Sequence, residues 1–248
     1  MSEIKLMVFD MAGTTVNDDN EVATCIYNAA VKSGLEPEQS RIQELQGLPK
    51  KEVFEILWKE KIGEDHSEYK VAVANTYRLF QAILENHYRL NPVEPAEGAV
   101  DIFKWLRAQG IKIALTTGFY RKVADIILGK LGWDEGLDEN HVGDELSFID
   151  LSLTPDETGK GRPHPDMILK AMEILGIKDP KHVVKVGDAP SDLKAGKAAG
   201  CLLTLGVTNG SHTREQLMQY DNDGLLDNLD ELRELLPAKL SEEDEVKV

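Results

Sequence analysis

Three acidic side chains follow apolar stretches of this sequence in a way that is typical of phosphoryl chemistry. Asp10 comes directly after the apolar run 4–9, and Asp188 and Asp192 follow the apolar run 183–186. An aspartate can act both as a nucleophile and as a metal ligand, and Mg²⁺ prefers carboxylate oxygens. The pattern therefore predicts a metal-assisted attack of Asp10 on a phosphorus centre, because an anionic nucleophile must approach an anionic group.

A second set of residues could hold the phosphoryl oxygens. Thr116, Thr117 and Gly118 follow another apolar run, and their hydroxyl and backbone N–H groups are suitable donors. Arg162 offers a permanent positive charge to both the phosphoryl group and Asp10. Each piece alone is an ordinary turn or helix cap, but the four pieces in this order favour a phosphoryl site.

The elements that must position these residues alternate between strand and helix after Pro92. Apolar runs predict strands at 4–9, 111–115, 148–153, 183–186 and 202–207. Helical spacing predicts helices at about 100–108, 121–131 and 165–175. Such alternation indicates a parallel sheet covered on both faces, and functional groups gather at the carboxyl ends of its strands.

The stretch between the first strand and Pro92 contains helical patterns only. We predict four helices, with breaks near Gly34, Gly47 and Gly63. The predicted architecture is an α/β, Rossmann-like core of residues 1–16 and 95–240, with an α-helical cap of residues 17–94 inserted after the first strand. Residues 241–248 are expected to form a flexible acidic tail. Hinges for cap movement are expected near 15–18 and 92–96.

The composition limits the classes of binding partner that this protein can have. The formal net charge of −16 argues against nucleic acid and against an anionic membrane surface, because both need clustered positive charge. Neither a membrane-spanning run nor a signal peptide is recognised, and the two cysteines are read as reduced. We expect a cytoplasmic protein with a small anionic substrate.

The ordered set resembles the haloacid dehalogenase superfamily over nearly the whole chain. The resemblance implies that Asp10 is the nucleophile and that Thr116 is the residue of the family's second motif. It also implies that Arg162 stands at the position where the family has lysine or arginine. The cap position is similar to that of a type I cap. The cofactor implied is Mg²⁺. The implied metal-binding residues are Asp10, Ala12, Asp188 and Asp192.

Ala12 distinguishes this chain from most phosphatases of the superfamily, which have an aspartate there as general acid and base. The stretch around it, FDMAGTTV, resembles the phosphonoacetaldehyde hydrolases, or phosphonatases. In that branch a cap lysine forms a Schiff base with an aldehyde, and the iminium accepts the electrons of the broken carbon–phosphorus bond. The resemblance assigns that lysine to Lys50 in the stretch 47–50.

Pro49 and two further positions near Lys50 depart from the branch. Gln46 stands in place of a methionine, and Val53 stands in place of a histidine that handles protons at the Schiff base. A nucleophilic lysine must be partly neutral near pH 7, and we expect the helix dipole, Lys51 and desolvation to lower its pKa.

The sequence leaves three functions open. The first is cleavage of phosphonoacetaldehyde or a close phosphonate, with Asp10, Lys50 and Arg162 as catalytic residues. The second is a phosphatase acting on a small ester such as phosphoglycolate, with a substitute acid. The third is a catalytically silent protein that binds a phosphorylated ligand. A homodimer formed through the cap is also left open.

Overall fold

A parallel six-stranded sheet forms the centre of the molecule in the computed structural model, which describes residues 3–46 and 48–236. The strand order across the sheet is β3-β2-β1-β4-β5-β6, and every neighbouring pair is parallel. The strands are β1 (Leu6–Asp10), β2 (Lys112–Thr116), β3 (Leu151–Leu153), β4 (Val183–Gly187), β5 (Leu203–Val207) and β6 (Gly224–Leu226). This confirms the predicted α/β, Rossmann-like class.

Between β1 and Pro95, the described residues form four helices. They are α1 (Glu21–Lys32), α2 (Gln39–Glu44), α3 (Lys50–Ile62) and α4 (Tyr69–Leu90). Their bounds agree with the predicted helices. The break predicted at Gly47 lies outside the described residues.

Seven further helices cover or flank the sheet. They are α5 (Ala99–Ala108), α6 (Arg121–Leu131), α7 (Pro155–Thr158), α8 (Asp166–Ile174), α9 (Pro190–Ala199), α10 (Arg214–Leu217) and α11 (Leu232–Leu235). Short 3₁₀ helices span Pro180–His182 and Leu229–Glu231.

Strand β1 lies in the middle of the sheet, and all five of its residues are buried. A parallel sheet with helices on both faces needs continuous apolar strands, which explains the run Leu-Met-Val-Phe before Asp10. The central position places the end of β1 between the ends of β2 and β4. The residues after these three strands therefore face a common space.

The chain leaves the sheet region and returns to it along two adjacent segments. Val16 forms a bridge with Pro95, and the Asn17 amide donates to the Glu94 carbonyl at 3.0 Å. The Ala96 amide donates to the Thr15 carbonyl at 2.9 Å. The predicted hinges lie in these segments. The division into core and cap stays a prediction, as does the homodimer.

Aromatic side chains pack between α3 and α4, two of the four inserted helices. Phe54 of α3 is fully buried and packs on Phe80 of α4, with ring centroids 5.3 Å apart. Tyr77 stacks beside Phe80 at 6.3 Å. Trp58 donates from its indole nitrogen to the Thr76 hydroxyl at 2.9 Å, so its buried N–H has a partner.

The predicted list of strands was incomplete at one edge. It ended with β5, whereas the sheet continues with β6. Three residues at a sheet edge give too short a period for a sequence pattern to indicate a strand. Residues 237–248, which include the predicted flexible tail and the end of the predicted core, lie outside the described residues. Within the described part, no helix has both the length and the apolar character that crossing a bilayer requires.

The packing of α3 on α4 gives a stability prediction. Phe54→Ala should lower the free energy of unfolding by about 3–5 kcal/mol, because a buried aromatic side chain is replaced by a cavity. Urea unfolding monitored by circular dichroism measures this change. Leu90→Ala, at an 83% exposed position of α4, should change it by less than about 0.5 kcal/mol. Equal losses in the two variants would contradict this packing.

Candidate active site

Asp10 ends β1, and its carboxylate is buried at 3% exposure. The tight turn that follows brings Gly13 against Asp188, and Gly13 has a φ of +84°. A Cβ atom at Gly13 would collide with the Asp188 carboxylate, so both the backbone conformation and the close approach require glycine.

Asp10, Asp188 and Asp192 form a cluster of buried carboxylates. One oxygen from each lies within 4.8 Å of the others. Asp192 Oδ2 is buried without a hydrogen-bond partner among the described residues. An all-oxygen set with an unpaired buried carboxylate oxygen fits a hard divalent cation such as Mg²⁺.

Asp188 is held in place by the segments around it. The Ser211 amide donates to Asp188 Oδ2 at 2.6 Å, and the Thr14 hydroxyl donates to Asp188 Oδ1 at 3.3 Å. Ala12 lines the same pocket. It has no side-chain donor atom, so as a predicted metal ligand it could contribute only its backbone carbonyl.

Arg162 connects two of the carboxylates. Its Nη1 lies 2.7 Å from Asp10 Oδ1 and 2.5 Å from Asp192 Oδ1, and the side chain is 4% exposed. Burial by itself would lower the pKa of Arg162, but the Asp10 and Asp192 carboxylates outweigh it and raise that pKa. The guanidinium therefore stays charged beside the nucleophile.

Lys185 of β4 is a second buried cation, which the sequence analysis did not identify. Its Nζ lies 2.7 Å from Asp192 Oδ1 and 3.1 Å from the Val186 carbonyl, and the side chain is 0% exposed. A lysine within an apolar strand of a parallel sheet is unusual, because a buried charge requires a partner. That placement in the sequence 183–187 was the signal that could have identified it.

The two acidic groups that touch Arg162 differ in their ionisation. Burial raises the pKa of Asp10 to about 8, against the opposing charge of Arg162. Burial also acts to raise the pKa of Asp192, but the charges of Arg162 and Lys185 together hold that pKa below its usual value. Asp192 is therefore the more readily ionised of the two, and added positive charge would favour the ionised form of Asp10, the predicted nucleophile.

The residues predicted to bind the phosphoryl group separate into two environments. Thr117 and Gly118 line the pocket with Asp10, whereas Thr116 is not among the lining residues. The Thr116 hydroxyl donates to the Phe9 carbonyl at 3.2 Å and lies 3.4 Å from Lys185 Nζ. This placement favours a structural role for Thr116, because its hydroxyl donates to a carbonyl of the neighbouring strand and does not line the pocket.

Thr117 is better placed for a phosphoryl oxygen. Its hydroxyl oxygen accepts from the Phe119 amide at 3.2 Å, which leaves the hydroxyl proton to donate elsewhere. Both Thr117 and Gly118 belong to the loop that leads from β2 into α6.

Lys50 is the first residue of α3, and its side chain enters the same pocket. It is 6% exposed, and its Nζ lies 5.7 Å from the centre of the Phe119 ring. Burial, followed by the charge of Arg162, lowers the pKa of Lys50 to about 8, although Asp10 and Asp18 act in the opposite direction. Lys51, predicted to contribute, is instead exposed and pairs with Glu55 at 3.5 Å.

A close contact between loops brings Lys50 to Arg162. A Cβ atom on Gly161 would come within 2.7 Å of Pro49 Cγ, the residue before Lys50. The glycine before Arg162 therefore lets the start of α3 lie directly on the loop that carries the arginine.

Asp18 and Gln46 also line the pocket, and the sequence analysis assigned neither a role in it. No sequence motif includes Asp18, which precedes α1. His66, His87, His164 and His182 are not among the residues that line the pocket.

Comparison with known proteins agrees with this geometry. A family model for haloacid dehalogenase-like hydrolases matches residues 4–200. A phosphonoacetaldehyde hydrolase of Bacillus cereus strain G9842 is 31% identical over 250 residues, which cover 93% of this chain and 87% of that protein.

Two solved structures share the fold. A phosphonoacetaldehyde hydrolase-like protein from Oleispira antarctica has a TM-score of 0.75 at 18% identity, covering 94% of this chain and 91% of its own. A protein described as a predicted phosphoglycolate phosphatase, from Haemophilus somnus 129PT, has a TM-score of 0.72 at 20% identity. The match covers 95% of this chain and 99% of that chain.

The buried nucleophile position, the acidic cluster and the family match lead to one conclusion. The chain belongs to the haloacid dehalogenase-like hydrolase family and is an enzyme.

The buried Lys185–Asp192 pair predicts a large effect of removing one partner. Lys185→Met should lower the free energy of unfolding by about 3–5 kcal/mol, because Asp192 then loses a charge that balances it in a water-free environment. Urea unfolding at pH 7 measures the loss.

The matched control is Lys197→Met in α9. Lys197 is partly exposed and pairs with Asp223 at 2.8 Å near the surface. Its replacement should cost no more than about 1 kcal/mol. Similar losses for the two variants would show that Lys185 is not a buried charge partner.

Proposed function

We propose that this enzyme cleaves the carbon–phosphorus bond of phosphonoacetaldehyde, or of a close phosphonate, with Asp10 as the nucleophile and Lys50 as a Schiff-base lysine. The observation that carries the proposal is the buried amine of Lys50 in one pocket with Asp10 and Arg162. A phosphatase needs no such amine. A carbon leaving group does need one, because an iminium can accept the electron pair that the broken bond releases.

The residues have distinct tasks in this mechanism. Lys50, as a neutral amine, adds to the aldehyde carbon, and loss of water gives the iminium. The Asp10 carboxylate then attacks phosphorus, the carbon–phosphorus bond breaks, and its electron pair converts the iminium to an enamine. Water then hydrolyses the phosphorylated Asp10 to release phosphate, and protonation of the enamine carbon followed by hydrolysis of the iminium releases acetaldehyde. Thr117 and Gly118 orient the phosphonate oxygens. Arg162 keeps positive charge beside Asp10 and the phosphonate throughout.

The acidic cluster is assigned to Mg²⁺. Asp10 and Asp188, with the Ala12 carbonyl, would hold the ion, and Asp192 would complete the site from its unpaired Oδ2. The bound cation would supply the positive charge that favours ionised Asp10 and reduces its repulsion from the phosphonate.

Hydrolysis of a small phosphate ester such as phosphoglycolate is the second candidate. The specific observation that favours it is the Asp18 carboxyl in the pocket, since an acid there could protonate a leaving alcohol. A silent binding role is the third candidate, and isolating a phosphorylated Asp10 peptide after turnover would exclude it. In every case the proposed partner is a small anionic substrate.

Replacement of Lys50 separates the candidates. With Mg²⁺ present, Lys50→Arg should reduce acetaldehyde release from phosphonoacetaldehyde by roughly 10³-fold or more, because a guanidinium keeps the charge but cannot form the imine. Release is followed with a coupled alcohol dehydrogenase. Lys51→Arg, the same change at the exposed neighbour, should retain native activity.

Two results would argue against this function. Full activity of Lys50→Arg on phosphonoacetaldehyde would exclude the Schiff base. Turnover of phosphoglycolate but not of phosphonoacetaldehyde by the native enzyme would select the phosphatase.

The lowered pKa of Lys50 predicts unusual reactivity at neutral pH. With a pKa of about 8, about a tenth of Lys50 is neutral at pH 7, against roughly 0.03% for an ordinary lysine. Acetylation of Lys50 by trace acetic anhydride, followed by peptide mass spectrometry, should therefore reach half its maximal rate near pH 8. A rate that continues to rise beyond pH 10 would mean that burial does not favour the neutral amine.

A further inference from the structure

Asp18 carries a carboxyl group into the pocket from outside the acidic cluster. It lies between the turn that follows Asp10 and the start of α1, and it lines the pocket together with Lys50. The Val22 amide donates to Asp18 Oδ1 at 3.3 Å, which fixes the carboxyl at the beginning of the helix. Its position in the pocket, and not its charge alone, sets it apart from the acidic surface residues.

A second carboxyl, that of Glu21, lies beside Asp18. Glu21 Oε2 is buried without a hydrogen-bond partner among the described residues. It is close enough to Asp18 for a hydrogen bond, which two carboxyl groups can form only when one of them carries a proton. Burial, then this hydrogen bond to Glu21, raises the pKa of Asp18 to about 7. The pair therefore holds a proton that can be given and recovered near neutral pH.

Among the described residues that line the pocket, Asp18 is the one carboxyl acid outside the acidic cluster. Ala12 cannot move a proton. Val53, one turn after Lys50 in α3, is fully buried in the apolar core, and no histidine of the described chain lines the pocket. Asp18 is close enough to Lys50 for its charge to raise the pKa of that amine. The pocket thus contains an amine and one carboxyl acid that the acidic cluster does not use.

We propose that Asp18 is the proton-transfer group for imine formation and imine hydrolysis at Lys50, an assignment that rests on the proposed function. Addition of the amine to the aldehyde, with transfer of its proton to oxygen, gives a neutral carbinolamine. The Asp18 carboxyl then donates its proton to the carbinolamine hydroxyl. The carbon–oxygen bond breaks, water leaves, and the nitrogen lone pair forms the iminium double bond.

The same group returns to its starting state in the last step. After the enamine carbon has taken a proton from the solvent, the Asp18 carboxylate takes a proton from the water that adds to the iminium. The new carbinolamine then collapses to acetaldehyde and the Lys50 amine. The proton given in the first step is recovered in the second, so the residue needs no external acid over the cycle.

Trapping of the imine tests this role without the carbon–phosphorus cleavage step. The protein is mixed with acetaldehyde and cyanoborohydride at pH 7, and ethylation of Lys50 is followed over time by peptide mass spectrometry. Asp18→Asn should slow ethylation about 10²-fold or more, because the amide keeps the shape but cannot donate the proton. Asp19→Asn, the same change at the exposed neighbour, should leave the rate within twofold of native.

Further variants distinguish proton transfer from a structural role. In Asp18→Ala, added formate should raise the rate of Lys50 ethylation at least tenfold, because formate can replace the missing acid. A structural defect would not be corrected in this way. If Asp18→Asn does not fold, Glu21→Gln decides. Its amide would donate to the Asp18 carboxylate and remove the shared proton, so ethylation at pH 7 should be about tenfold slower.

Each outcome is decisive. A native rate in folded Asp18→Asn, or in Glu21→Gln when Asp18→Asn is unfolded, overturns the role of Asp18 and leaves the proposed function standing. Absence of Lys50 ethylation in the native protein overturns the proposed function, and the role of Asp18 with it.

Discussion

The ion pairs of Arg162 are the constraint on which the rest of the site depends. One guanidinium nitrogen contacts both Asp10 and Asp192, in surroundings almost free of solvent. Three buried carboxylates could not remain ionised there without compensating charge. Lys185 supplies part of that charge, and a divalent cation, which the acidic cluster fits, would supply the rest. The sheet brings these groups together because β1 and β4 are neighbours and end at the same edge.

The inserted helices turn this charge cluster into a more specific site. Gly161 allows the start of α3 to lie on the Arg162 loop, which buries Lys50 beside a permanent cation. The same positive charge that balances the nucleophile therefore also favours the neutral form of the amine. In the proposed mechanism, attack on phosphorus and amine chemistry are therefore coupled through one arginine, and a change at Arg162 would disturb both.

Much of this was predictable from the sequence, and the exceptions have physical reasons. The fold class followed from alternating periodicities, and the helix bounds from 21 to 131 agree closely with the apolar spacing. Strand β6 was missed because three edge residues carry no readable period. Lys185 and Asp18 were missed because their environments depend on contacts distant in sequence, such as that between Lys185 and Thr116. At Lys50 the expected desolvation was correct, but Arg162 contributes where Lys51 was expected to, because Arg162 is brought close only by the fold.

The central claim is that Lys50 is the amine that bonds covalently to the substrate carbon. The most direct measurement is peptide mapping of the enzyme after borohydride quenching during turnover of phosphonoacetaldehyde with Mg²⁺. We expect one reduced adduct per chain, located on the peptide that contains Lys50. An adduct on a different lysine, or product formation with no adduct on any lysine, would contradict it.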